Sequence, residues 1–109
     1  MDKIITRDTA TRLSRSKHVF LRENPHLKKL FKKLQKEGIR TVDDIKDKKI
    51  KNKIKNIMIK TEVTWRFNSG DIPYLTFSNH APMQGDFGKA IPKILKELEK
   101  LVKKNGTKS

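Results

Sequence analysis

The clearest pattern of apolar and polar positions lies at residues 57–67, where the two kinds of side chain alternate with a period of two. This alternation is typical of a β-strand with one buried face. Residues 68–71 read Asn-Ser-Gly-Asp, a strong turn signal, and a second alternating run follows. The sequence therefore predicts a β-hairpin with strands at about 57–67 and 74–79. The side chains expected on its buried face are Ile59, Val63, Trp65, Leu75 and Phe77.

Apolar residues on both sides of the hairpin have helical spacing. Residues 24–38 carry an i, i+3, i+4, i+7 stripe between Asn24, a candidate N-cap, and Gly38, a candidate stop. The richest stripe starts near Asp86 and predicts a long amphipathic C-terminal helix. Pro92 lacks a backbone donor, so we expect this helix either to kink there or to start just before it.

Residues 39–56 have a sparser apolar stripe that slips near their middle. Thr41 and Asp44 have the spacing of a capping box, so we expect one irregular helix, or a short helix, a break and a further turn. With residues 24–38 this gives a helix-turn-helix-like pair of basic helices. The order also fits a winged-helix-like domain, although the hairpin loop has no basic residue. The alternative is a two-stranded sheet, which an N-terminal strand could complete, with helices on one face.

The predicted fold class is therefore α+β, in one small domain. A length of 109 residues suits one domain with a modest core. We place this domain at residues 19–105, after a flexible basic arm at residues 1–18 and before a tail at residues 106–109. Four of the six arginines lie in residues 1–23, where bulky apolar residues are few.

The charge balance says more about the type of binding partner than any motif in the sequence does. Lys and Arg number 27, Asp and Glu number 12, and the formal net charge is +15. Residues 24–56 hold 12 basic and 4 acidic residues, whereas the hairpin at residues 57–79 is neutral. An excess of this size repels itself in the folded state and is best tolerated when a polyanion neutralises it. Nucleic acid is the commonest such partner.

We predict a small nucleic-acid-binding protein, DNA or RNA, that uses lysine-rich helices for phosphate contacts. Its size and lack of catalytic motifs would suit an accessory or regulatory factor of a virus or mobile element. The alternative is a protein-binding inhibitor or adaptor that docks its basic face on an acidic surface or a nucleoprotein machine. The candidate contact residues are Arg7, Arg12, Arg15, Lys28, Lys29, Lys32, Lys33, Lys36, Arg40, Lys49, Lys51, Lys53 and Lys55.

The chain offers little for catalysis or cofactor binding. It has no cysteine, no histidine pair at metal-binding spacing and no glycine-rich phosphate loop. His80 is the best acid–base candidate, but we expect no enzyme, metal or cofactor. No apolar run is long enough for a membrane span, so the expected setting is cytoplasmic, or the host cytoplasm or nucleoid if viral. Trp65 is expected in the core, which leaves Tyr74 as the better base-stacking candidate.

Overall fold

The computed structural model describes residues 4–80 and 85–108, with side chains as far as residue 103. It confirms a small α+β domain with a long C-terminal helix. Three short 3₁₀ turns lie at Leu21–Glu23, Pro25–Leu27 and Val42–Asp44. The strands and α-helices are β1 (Arg7–Ala10), β2 (Ser14–Phe20), α1 (Lys28–Glu37), α2 (Lys48–Thr61), β3 (Thr64–Asn68), β4 (Tyr74–His80) and α3 (Phe87–Lys108).

The four strands form one antiparallel sheet in the order β1-β2-β4-β3. Two hairpins, β1–β2 and β3–β4, meet where Val19 lies opposite Leu75. Residues 7–18 were expected in a flexible arm, but they form most of the β1–β2 hairpin, which we call the outer hairpin. Pairing satisfies the backbone groups that face a neighbouring strand, although β1 is an edge strand and most of these side chains stay exposed. Because most of its side chains are exposed, this hairpin does not show the apolar–polar alternation from which a half-buried strand is predicted.

The prediction of a strand at residues 57–67 was wrong over the first half of that range. Residues 57–61 continue α2, which ends at Glu62 in the left-handed conformation with φ 57°. The Val63 N–H then donates to the Met58 carbonyl at 3.2 Å, and the strand starts at the next residue. Ile59, expected in the core, is 74% exposed. The second strand was predicted correctly, and Trp65 is buried as expected.

Asn24 is not the N-cap that the sequence suggested. A 3₁₀ turn follows it and its side chain makes no capping bond. Its amide is fully buried and holds the segment before β1: Oδ1 accepts from the Ile5 N–H at 2.7 Å. Nδ2 donates to the carbonyls of Ile5 and Phe20, both at 2.9 Å. Asn24 therefore joins the start of the described chain to the end of β2.

The predicted end of the first helix at Gly38 is confirmed. Gly38 ends α1 with φ 66°, in the left-handed region that glycine adopts without strain. Thr41 and Asp44 form the capping box, but it opens a single 3₁₀ turn. Asp47 then caps α2 by accepting from the Ile50 N–H at 3.0 Å. The basic helix pair is present, with the break at residues 38–47 and both helices packed against α3.

The long helix α3 begins directly after Asp86, whose side chain accepts from the Lys89 N–H at 3.1 Å as an N-cap. The helix runs through Pro92 rather than starting near it. Pro92 has no N–H to donate to the carbonyl of Gly88, four positions earlier, so the helix lacks one backbone hydrogen bond there. Part of the expected tail, residues 106–108, belongs to this helix, and residue 109 lies outside the described residues.

The core lies between one face of the sheet and the three helices. Phe67 of β3 and Phe31 of α1 are each 1% exposed, and their rings meet edge to face with centroids 5.3 Å apart. Alternate positions of β3 and β4, such as Leu75 and Phe77, are fully buried beneath the helices. No described helix covers the opposite face of the sheet. The molecule therefore has two unlike surfaces, the outward side of the helices and the open face of the sheet.

Candidate nucleic-acid interface

Helix α1 carries lysines on the side opposite the core. Its three buried side chains lie together, and at about 100° per residue its exposed lysines fall within an arc of about 100° on the other side. None of them forms an ion pair with any residue that the structure describes. We call this group the α1 lysine strip. Its members are Lys28, Lys29, Lys32 and Lys36.

Lys33, also predicted to contact nucleic acid, lies on the flank of α1 and is half-buried. It forms an ion pair with Glu37, one turn later in the same helix. Its charge is therefore partly neutralised within the helix.

The predicted lysines of α2 are split between two flanks. Lys49 and Lys53 are exposed on one side, and helical geometry places Lys51 and Lys55 roughly opposite. That second flank faces the 3₁₀ turn, where Lys55 Nζ lies 3.3 Å from a carboxylate oxygen of Asp43. The structure therefore does not gather these four lysines onto one surface.

Asp44, in the same 3₁₀ turn, accepts hydrogen bonds from the backbone N–H groups of Arg40 and Thr41, at 2.9 and 3.1 Å. These bonds are the main reason that the pKa of Asp44 lies below its usual value. The nearby charges of Arg40 and Lys51 lower it further. The turn therefore keeps an ionised carboxylate beside the second flank of α2, which weakens that flank as a polyanion site.

Helix α3 supplies lysines that the sequence prediction did not include, because it considered only residues 28–55 for the helices. Its apolar stripe faces the core, so the intervening lysines are exposed on the outward side. Both α1 and α2 pack against α3, so these lysines extend the same layer. The apolar spacing of the helix would have identified them. They are Lys89, Lys93, Lys96 and Lys103.

The predicted arginines of the first 15 residues lie on the outer hairpin, not on the helices. Arg7 pairs with Glu23, with Nη2 2.6 Å from Oε2, and this contact raises the pKa of Arg7. Arg12 is exposed in the turn between β1 and β2, and Arg15 is exposed on β2. The structure therefore does not place these arginines on the α1 lysine strip.

The open sheet face is built from the outward positions of the four strands. Register places these positions opposite one another, and none of them is a carboxylate. Most are hydroxyl, aromatic or histidine side chains. They are Arg7, Thr9, Ser14, Ser16, His18, Phe20, Thr64, Arg66, Asn68, Tyr74, Thr76, Ser78 and His80.

Short contacts order the side chains on this face. The hydroxyl oxygens of Ser16 and Ser78 lie 2.9 Å apart. His18 bridges two strands, with Nδ1 3.1 Å from the Thr76 hydroxyl and Nε2 3.2 Å from the Thr9 hydroxyl. These contacts hold the imidazole and hydroxyl groups in fixed positions across β1, β2 and β4.

A groove of about 630 Å³ crosses this face, bounded on one side by the 3₁₀ turn that contains Asp43. At Arg66 and Tyr74 it adjoins a second hollow of about 600 Å³ beside the β3–β4 loop. Arg40, predicted as a phosphate contact, lines this second hollow together with Asp71. The Arg40 carbonyl accepts the N–H of a β3 residue at 2.7 Å, which fixes its backbone at the sheet edge. Arg40 thus belongs to the sheet side of the molecule.

His80, the acid–base candidate, is exposed at the end of β4. The loop after it, residues 81–84, lies outside the described residues. Within the described ranges, no three His, Cys, Asp or Glu side chains cluster where a metal ion could bind. A search of the same ranges finds no helix with the length and apolar character of a membrane span.

No protein-family model, curated protein or solved structure matches this chain. The function therefore has to be argued from the two surfaces themselves.

Proposed function

We propose that the protein binds nucleic acid through phosphate contacts from the outward side of its helices, centred on the α1 lysine strip. The observation that carries the proposal is the strip itself: four lysines on one side of a ten-residue helix, none paired with a described carboxylate. Like charges one turn apart destabilise an isolated helix. A polyanion relieves this repulsion and releases its own condensed counterions on binding.

Other lysines would widen the interface beyond α1. Lys49 and Lys53 are exposed on one flank of α2, and the outward lysines of α3 belong to the same layer. The predicted contacts at Lys33, Lys55 and Arg7 are weaker candidates because each pairs with a carboxylate. This leaves enough unpaired lysines for about six to ten phosphate contacts, the range that gives a steep salt dependence.

Lysine chemistry also indicates the type of recognition. The ammonium group is a point charge on a flexible stem and lacks the planar fork with which arginine reads guanine. Contacts to phosphate fix position and carry no direct sequence information. The helical surface would therefore bind with little dependence on sequence.

The test is a titration of the full chain against a labelled random duplex of about 20 base pairs at about 50 and 200 mM salt. We expect micromolar or tighter binding at the lower concentration and a loss of about 10³- to 10⁵-fold at the higher one. Absence of binding at about 50 mM would overturn the proposal. The alternative, an inhibitor or adaptor that docks its basic face on an acidic protein surface, would then become the better account.

A further inference from the structure

We infer that the open face of the sheet binds a single strand of nucleic acid, with Tyr74 stacking on a base and Arg66 and Arg40 contacting phosphate. The inference rests on the proposed function and adds the form of nucleic acid that the second surface would take.

Aromatic rings lie on the two central strands, at the end of this face next to the β3–β4 loop. Tyr74 is on β4 and Phe20 is directly opposite on β2, with ring centroids 5.0 Å apart and planes tilted by 35°. His18 meets Tyr74 edge to face at 5.6 Å. The three rings are half-buried and lie on the side of the sheet away from the core. Aromatic side chains on the open face of a four-stranded sheet are a general means of stacking unpaired bases.

The charges around the rings complement a phosphate backbone. The outward strand positions include no carboxylate, and Arg66 is exposed on β3 without an ion-pair partner among the described residues. Arg40 lines the adjoining hollow beside Arg66 and Tyr74. Three carboxylates of the described residues lie at the margin: Asp43, which pairs with Lys55, Glu23, which pairs with Arg7, and Asp71 in the β3–β4 loop. The local balance therefore favours an anionic strand along the groove.

The surrounding hydroxyls suit polar contacts to sugar and phosphate. Ser16 and Ser78 lie side by side across the two central strands, and both line the groove that also reaches Tyr74, four residues earlier on β4. A hydroxyl can donate or accept, so it can contact phosphate oxygens and base edges alike. The same groove therefore offers stacking, positive charge and polar contacts.

Stacking on Tyr74 selects for a single strand. In a duplex the face of each base is covered by its neighbours, so a side-chain ring can reach it only where the strand is unpaired or a base is flipped out. A duplex would instead meet the α1 lysine strip by its phosphates. The two surfaces should therefore respond differently to the same substitutions.

The test measures binding of the full chain to a labelled oligothymidine of about 12 nucleotides and to a duplex of about 20 base pairs. Tyr74→Leu removes the ring but keeps an apolar side chain against Phe20, and Tyr74→Phe keeps the ring. We expect Tyr74→Leu to weaken single-strand binding about tenfold and to leave duplex binding within about twofold. Tyr74→Phe should match the wild type on both probes. Unchanged single-strand binding by Tyr74→Leu, or equal losses on both probes, would overturn the inference.

A second pair of variants decides the question if Tyr74→Leu does not fold. Arg66→Gln removes a charge from the groove, and Lys46→Gln removes one from an exposed residue outside both surfaces. We expect Arg66→Gln to reduce the slope of log affinity against log salt for the single strand by about 0.7, and Lys46→Gln to leave it unchanged. Equal slopes for the two variants would overturn the inference.

The two proposals fail in different ways. If the wild type binds neither probe at about 50 mM salt, the proposed function fails and this inference fails with it. If the wild type binds both probes and the Tyr74 and Arg66 variants behave as it does, only the sheet face is excluded.

Discussion

The two surfaces of this small domain carry positive charge in different ways. On the helices, lysines on flexible stems extend outward, and on α1 they share one side with no described carboxylate paired to them. On the open face of the sheet, few charges lie among rings and hydroxyls that contact one another at fixed distances. A net charge of +15 supports the proposal of a polyanion partner, but it does not distinguish the proposed phosphate contacts of the helices from the proposed base stacking on the sheet.

The difference follows from how each kind of element exposes its residues. A helix packed on one side leaves more than half of its circumference in solvent, so a lysine-rich sequence gives a charged strip with little internal order. A sheet covered on one side displays every second residue of each strand. Neighbouring strands then hold those residues opposite one another, as His18 lies opposite Thr76. The sheet can therefore build a defined site from residues far apart in sequence.

The largest effect is expected from damage to the core that both surfaces share. Phe67→Ala should lower the free energy of unfolding by about 3–5 kcal/mol, because it removes a fully buried ring and its edge-to-face contact with Phe31. Urea denaturation of the variant and the wild type measures this difference. A loss below about 1 kcal/mol would mean that the helices and the sheet do not depend on this contact.

A smaller effect is expected at Asn24, which holds the segment before β1 through three hydrogen bonds. Asn24→Ala should lower the free energy of unfolding by about 1–3 kcal/mol, because it removes all three bonds, two of which satisfy the N–H and the carbonyl of Ile5. It should also speed hydrogen exchange at the Ile5 amide. Asn52→Ala, at an exposed position of α2, is the matched control and should be nearly neutral. Equal effects of the two substitutions would contradict the role of Asn24.

Asp44 gives a prediction about pH. Its pKa in the folded protein is lowered by hydrogen bonds from the Arg40 and Thr41 N–H groups, whereas the unfolded value is about 3.9. Its carboxylate therefore contributes stability that is present above about pH 4 and is lost as the pH falls through the folded pKa. Unfolding free energies measured from neutral to acid pH should show a weaker acid dependence in Asp44→Asn. If the wild type and Asp44→Asn had identical profiles of unfolding free energy against pH, the Asp44 carboxylate would not stabilise the folded protein.

The smallest effect is expected at Ile59, which the sequence placed in the core and the structure places on the exposed side of α2. Ile59→Gln should change the free energy of unfolding by less than about 0.5 kcal/mol. Ile54→Ala, at a fully buried position earlier in the same helix, should cost about 2–5 kcal/mol. Denaturation of both variants compares them directly. A large loss of unfolding free energy in Ile59→Gln would indicate that Ile59 is buried, and would support the longer strand over the longer helix.

The features of the fold that could be predicted from sequence are those set by local chemistry. Gly38 ends a helix because of its backbone freedom, and the Thr41–Asp44 pair and Asp86 cap turns through their own side chains. The strand start at Thr64 could not be predicted in this way. The preceding apolar residues fit a period of two and also continue the helical stripe of α2, and only the tertiary packing decides between them.

The same distinction holds for the two surfaces. The α1 lysine strip follows from spacing alone, so the sequence could predict it. The ion pair of Lys33 with Glu37 follows from the same helical spacing, although it was not predicted. The ion pair of Lys55, and the grouping of Arg40, Arg66 and Tyr74, could not be predicted. The Lys55 pair and this grouping depend on neighbours brought together by the fold. The outer hairpin was missed for a related reason, since Val19 is its only fully buried apolar side chain among the described residues.

The most direct test of the proposed function is the salt dependence of duplex binding by a variant that carries Lys→Gln at all four positions of the α1 lysine strip. A variant with Lys→Arg at the same positions keeps the charge and serves as the control. If the strip contacts four phosphates, the slope of log affinity against log salt should fall in magnitude by about 3.6 in the glutamine variant and stay at the wild-type value in the arginine variant. A glutamine variant that binds the duplex with the wild-type slope would contradict the account.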